Sequence, residues 1–331
     1  MQVYPVNEES ALKSAGPSDL LELKAPPGRN DIFLPKELVM TFANGILTHE
    51  FIHLSGPTGS AKTSLIEALS MPENWMPICA YLEHEPKPLV VYPNEMVIYE
   101  SPGELRQRRS IKDGYTFDEK SELVRNLELA SSDRDGSYTL IWLREIGRVH
   151  SAAVQGGLLD IMTHGIIHLC DGQKISGINI AWVADSNYQA EADSVHTLVV
   201  FDDALRRRFG RNITLSYLDV NQEATALEHI VRREPYLRKV SDADITSVVK
   251  LGQTIRKHKG TGSLRSVTPP TIYGYLSFLR QLRTLPDCSL EWAARCTLLG
   301  NASRDDSGLV TETINEAFGL SKGTGVAAEA M

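Results

Sequence analysis

At 331 residues, with 42% apolar and 23% charged side chains, the chain has the make-up of a globular protein, large enough for one big domain or two modest ones. It has no apolar run long enough to cross a bilayer, and its opening, MQVYPVNEES, lacks the basic and apolar regions of a secretory signal. A net charge of −8 speaks against a general nucleic-acid surface. Four cysteines without CxxC spacing (Cys79, Cys170, Cys288, Cys296) suit a reducing compartment, so a cytoplasmic protein is expected.

Residues 1–30 are polar and proline-bearing and read as an extension that packs loosely or on a neighbour. Over 31–217, strand-like apolar runs at 51–55, 89–92, 139–143, 178–184 and 212–216 alternate with helical patterns. That alternation predicts an α/β domain with a five-stranded parallel sheet covered by helices. Over 218–321 the pattern is helical only, carried by EATALEHIVRRE, DADITSVVKLGQTIRKH, TPPTIYGYLSFLRQL and SLEWAARCTLLGN. It predicts an all-helical lid domain, and residues 322–331 read as a disordered tail.

The run Phe51–Ser55 leads into Gly56, Pro57, Thr58, Gly59, Ser60, Ala61, Lys62, Thr63 and Ser64, followed by the helical LIEAL. Strand, glycine-bearing turn and helix in that order form the setting of a P-loop, in which backbone N–H groups and a helix N-terminus face phosphate oxygens. Lys62 is expected to reach the β- and γ-phosphates of ATP, and the Thr63 hydroxyl to meet Mg²⁺. Ala61 stands where the general pattern has glycine, which requires a negative φ at that residue. His49-Glu-Phe-Ile-His53 spells a zinc signature, but that motif needs a helix. On a strand, residues four apart lie ~13 Å from each other, too far to share one metal.

Tyr138–Leu143 is an apolar strand that runs into Arg144 and Glu145, and looks like a Walker B segment. Glu145 is expected to orient the attacking water. Arg144 occupies the place of a metal-supporting acid and opposes a cation instead. A hairpin-like stretch at 165–174 follows, then a strand run that ends in Asn187, placed to touch the γ-phosphate as a sensor. The run Asp202-Asp-Ala-Leu-Arg206-Arg207-Arg208-Phe209 puts three arginines at a helix end. Arg208 is the first choice for a finger reaching a neighbour's nucleotide, with Arg206 or Arg207 behind it. Arg265, before a helix opened by Pro269-Pro270, is expected to return from the lid to the γ-phosphate.

Taken in order, GPTGSAKTS, LREIGRV, ADSN, DDALRRRF and SLRS, with the lead-in FLPKEL, resemble the MoxR/CbbQ branch of AAA+ ATPases over roughly residues 32–320. That branch is similar to magnesium chelatase and dynein-type modules. The resemblance implies a hexameric ring with ATP at subunit interfaces. It also implies a partner with a von Willebrand factor A domain, and a remodelling or activating task on a client protein. The charged stretch 104–114 lies where the family carries an insertion directed at the ring pore. Arg144 departs from the family pattern and keeps open a nucleotide-gated assembly module that scarcely turns over. A nucleic-acid-linked GTPase lacks support, since there is neither an NKxD-like guanine reader nor a basic bias.

Overall fold

The computed structural model describes residues 20–133, 136–149, 151–187, 202–264, 267–285, 287–300, 302 and 306–319. Among these, two compact units can be drawn, one over Leu21–Pro57 and Ala61–Ser216, the other over Thr58–Ser60 and from Tyr217 onward.

The first unit begins with a two-stranded sheet of β1 (Leu20–Leu23) and β2 (Ile32–Pro35), followed by α1 (Lys36–Leu47). Leu21 and Leu23 are buried in the core around α1, so this part of the N-terminal stretch is built in rather than loosely packed. Residues 1–19 of the expected extension lie outside the described residues. After α1 come β3 (Phe51–Ser55), α2 (Lys62–Leu69), α3 (Pro72–Tyr81), β4 (Leu89–Glu95), β5 (Gln107–Lys112), β6 (Tyr115–Lys120) and α4 (Glu122–Ser132). Then follow β7 (Tyr138–Arg144), α5 (Ala152–His164), β8 (Ile166–His168), β9 (Lys174–Ser176), β10 (Ala181–Ser186), α6 (Asp203–Arg206) and β11 (Arg211–Thr214).

The main sheet has five strands in the order β11-β3-β10-β7-β4, every neighbouring pair parallel. This is the expected α/β architecture, and each expected strand run falls on one of its strands. Side chains alternate between two cores, as the strand period of two requires. Ile52, Leu54, Leu140, Trp142, Ala181 and Val183 join α1, α2 and α3. Ile141, Leu143, Trp182 and Ala184 face α4 and α5. Helices on both faces make the strands near-continuous apolar runs.

Both β8–β9 and β5–β6 are antiparallel hairpins. The second falls on the charged stretch at 104–114 and runs on to Lys120. Its turn is Asp113-Gly114, both with positive φ (53° and 81°), as a two-residue hairpin turn of the twisted sort demands. Ile111 and Tyr115 beside that turn are exposed.

The second unit is helical: α7 (Val220–Arg233), α8 (Asp242–Gly260), α9 (Ile272–Thr284), α10 (Leu290–Thr297) and α11 (Ser307–Phe318). Asp219 with Gln222, and Ser241 with Asp244, form reciprocal capping boxes that start α7 and α8. Pro269 and Pro270 precede α9, whose N-cap is Thr271, so they do not occupy its first turn as expected. The Pro270 carbonyl instead accepts from Arg256 Nε at 2.9 Å. Arg256 also donates to both oxygens of Glu223, at 2.9 and 2.7 Å, and its guanidinium lies 4.1 Å from the centre of the Tyr217 ring. Both partners are nearly sealed from solvent, at 8% and 5% side-chain exposure.

Candidate phosphate-binding site

The turn between β3 and α2 is built by backbone conformation. Gly59 has φ +81°, a region open to glycine at no cost. Ala61, the residue before α2, has φ +68° and is left-handed. The negative φ expected there is not what the chain adopts. A methyl-bearing residue is held in a conformation that costs about 1–2 kcal/mol, because the turn must reverse just before the helix begins.

Lys62 opens α2 and is buried. Its Nζ donates to the carbonyls of Gly56 and Pro57, at 2.7 and 2.8 Å, and to Asn187 Oδ1, at 3.0 Å. The expected lysine and the expected sensor residue, 125 positions apart, therefore meet. β10 pairs with β3 through Ser186↔Ser55, which sets the following residue, Asn187, beside the turn. Gly56 and Pro57 are buried, Thr58 is exposed, and Thr63 and Ser64 lie half-buried in the first turn of α2. Ser60 Oγ is buried without a hydrogen-bond partner among the described residues. A buried hydroxyl left so costs free energy that an oxygen-rich ligand would recover.

At the end of β7, Arg144 pairs with Glu95 at the end of β4 and stacks on Trp142, 4.8 Å from the ring centre. Glu145 has φ +52° and its carboxylate accepts from Arg148 Nη1 at 3.0 Å. Arg206 and Arg208 are exposed around the end of α6, where Arg206 lies 3.8 Å from Asp203 and Arg208 Nε donates to Thr163 on α5. Arg265 and the tail at 322–331 lie outside the described residues.

One residue of this site went unnoticed in the sequence. Asp185, 6% exposed, accepts at Oδ1 from Trp142 Nε1 (2.7 Å) and from the Glu145 amide (3.3 Å). Burial raises its carboxyl above the ordinary value, while Trp142, the Glu145 amide and Lys62 pull the other way. The signal was an acid inside an apolar strand run, in the ADSN segment.

The zinc-like signature is accounted for by other bonds. His53 lies on β3, with Nε2 2.8 Å from Ser186 Oγ and Nδ1 3.3 Å from Asn212 Oδ1, and burial lowers its pKa to about 4. Glu50 accepts two bonds from Arg211, each 2.8 Å.

Would the residues suit Mg²⁺ carried by a nucleotide? Thr63 offers a hydroxyl and Asp185 a buried carboxylate on the same side of the sheet as α2, both oxygen donors of the kind a hard cation takes. Among the described residues, no three His, Cys, Asp or Glu side chains converge to hold a metal alone. Thr63 and Asp185 would supply two of the oxygens that a hydrated Mg²⁺ could meet.

No family model matches the chain, and no curated protein does. Among solved structures, it is similar to a crystal structure of a candidate ATPase from Cytophaga hutchinsonii. The two share 14% identity over 87% of this chain and 89% of that one, with a TM-score of 0.41. A likeness that low carries no weight for activity. The sheet order and the helical second unit are consistent with an AAA+ ATPase-like fold. No helix among the described residues is long and apolar enough to cross a membrane.

Proposed function

We propose that this chain is an ATPase of the MoxR-like AAA+ kind, which binds ATP in the turn from Gly56 to Ser64 and works as a ring of its own copies. The observation that carries the reading is the burial of Lys62 among Gly56, Pro57 and Asn187 at the head of α2. A buried ammonium at a helix N-terminus, behind a glycine-bearing turn, suits the oxygens of a phosphate. The lysine would exchange its carbonyl partners for phosphate oxygens, and the α2 N-terminus would add its partial positive charge.

In this reading Glu145 orients the lytic water once it leaves Arg148, and Asn187 holds the water or the γ-phosphate. Arg208 or Arg206, exposed at the end of α6, reaches the nucleotide of an adjacent copy, and Arg265 approaches from the lid. Mg²⁺ bound with ATP would lower the charge on the phosphates, and Thr63 would hold it. The ring of six, the von Willebrand factor A partner, the client protein, the pore-directed role of the β5–β6 hairpin and a cytoplasmic site rest on the motif resemblance.

A second reading has an observation of its own. Glu145 is tied to Arg148 and Arg144 to Glu95, which suits a nucleotide-gated assembly module with little turnover. Steady-state ATP hydrolysis at several protein concentrations separates the two, with Glu145→Gln and Lys62→Ala as controls. Turnover that rises with concentration and is lost in both variants supports the ring ATPase. Tight ATP binding without turnover transfers the case to the assembly module, and absence of ATP binding defeats both.

A further inference from the structure

At the C-terminal ends of three neighbouring strands the charges form a row. Leu143 pairs with Ala184, and Arg144 with Glu95, so Asp185, Arg144 and Glu95 follow one another across β10, β7 and β4. Val183 pairs with Trp142, so the residues two further along, Asp185 and Arg144, emerge on the same face, the one that α2 covers. The arginine therefore has an acid on each side. It pairs with Glu95, the outer one, which leaves Asp185 facing inward.

Asp185 is not a satisfied core acid. Both of its hydrogen bonds fall on Oδ1, and Oδ2 has none among the described residues, in a residue that is 6% exposed. A carboxylate can accept about four hydrogen bonds, so half of that capacity is left for donors that a ligand's water shell would bring. The nearby positive charge is that of Lys62, the residue that opens the phosphate turn.

We propose that Asp185 supplies, from β10, the carboxylate that faces the water shell of nucleotide-bound magnesium, the task that position 144 on β7 has given over to an arginine. The inference rests on the nucleotide reading above. Its chemistry is that of a hydrated divalent cation: magnesium keeps several of its waters, and those waters donate to a carboxylate. Asp185 sits one strand nearer to β3 than position 144 does, since the order is β3-β10-β7. The acid has moved toward the phosphate turn, and Arg144 is neutralised away from it. Asp185 also holds the left-handed turn at Glu145, so a structural role must be told apart from a metal-facing one.

The test is metal linkage in nucleotide binding rather than turnover. Titration of a fluorescent ATP analogue with and without Mg²⁺ gives the factor by which the metal tightens binding. The wild type should show a factor well above one. Asp185→Asn should keep the metal-free affinity and bring the factor close to one. An Asp185→Asn protein with the wild-type factor overturns the proposal. One that loses metal-free and Mg²⁺-bound affinity equally overturns it too, because that is what a collapsed turn would do. If Asp185→Asn does not fold, Mn²⁺ with ATP on wild-type protein carrying ¹³C-labelled aspartate decides. Paramagnetic broadening of the Asp185 carboxyl supports the proposal, and a sharp signal there overturns it. Failure of the wild type to bind the analogue at all would instead defeat the nucleotide reading itself.

Discussion

The ends of β3 and β7 lie in one sheet with β10 between them, yet they handle charge in opposite ways. Beyond the end of β3, Lys62 is buried and donates to the Gly56 and Pro57 carbonyls and to Asn187 Oδ1. At the end of β7, Arg144 and Glu145 are half-exposed, and each is neutralised by an opposite charge, Glu95 and Arg148. In the ATPase reading, the first end holds its lysine on carbonyl and amide oxygens that phosphate oxygens would replace. The second must break an ion pair before its glutamate can serve a water. Exposed pairs of that kind are worth little, ~0–1 kcal/mol, so the pairing is a modest gate rather than a lock.

The sharpest way to break this comparison is Glu145→Gln. If the β7 end is a working catalytic end, turnover should fall by about 10²–10⁴-fold while nucleotide affinity holds. Equal turnover in variant and wild type would remove Glu145 from the chemistry.

Ion pairs offer a second test. Glu223→Gln strips one partner from the sealed Arg256 pair and should cost about 3–5 kcal/mol, seen as a lower denaturation midpoint. Glu95→Gln, at the half-exposed β7 end, should cost less than ~1 kcal/mol by the same measure. Similar losses in the two would show that the β7 pair is buried in solution and far harder to open.

Lys62→Ala tests the other end. It should weaken ATP binding by roughly 100-fold, the size of a lost charge-assisted bond of about 3 kcal/mol. Unchanged affinity in an isothermal titration would mean that phosphate is held elsewhere.

The strand that feeds this end has its own pH signature. His53 on β3 has a pKa lowered to about 4 by burial, so between pH 6.5 and 4 the unfolded chain binds a proton that the folded chain does not. Stability is full above pH 6.5 and is lost as pH falls toward 4, by up to ~3 kcal/mol. Denaturant melts across that range should show the slope in wild type and its loss in His53→Gln.

The smallest effect belongs to Ala61→Gly, which relieves a left-handed alanine and should stabilise the fold by ~1 kcal/mol. A destabilised variant would show that the methyl packing of Ala61 outweighs its backbone strain.

Most of the architecture was legible in the chain. Five apolar runs became the five strands, and the helical patterns over 223–234, 242–258 and 289–301 became α7, α8 and α10. Boundaries moved where local backbone intervened: the run expected from 178 starts at Ala181, after Asn179 with φ +64°. Asp113-Gly114 marks a turn in the sequence, but the strands β5 and β6 around it are not legible there, because β6 is polar and exposed and shows no buried stripe. The Lys62–Asn187 meeting was foreseeable from motif order alone.

What the sequence determined by itself is the strand–turn–helix at Gly56–Ser64, since periodicity and glycine placement act between residues close in the chain. Charge partnership was decided only by tertiary structure. Nothing local to LREIG says that Arg144 will find Glu95, 49 positions away, or that Asp185 will stand at the strand end beside it. Strand order fixes those neighbours, and electrostatic energy depends on distance and burial rather than on separation along the chain.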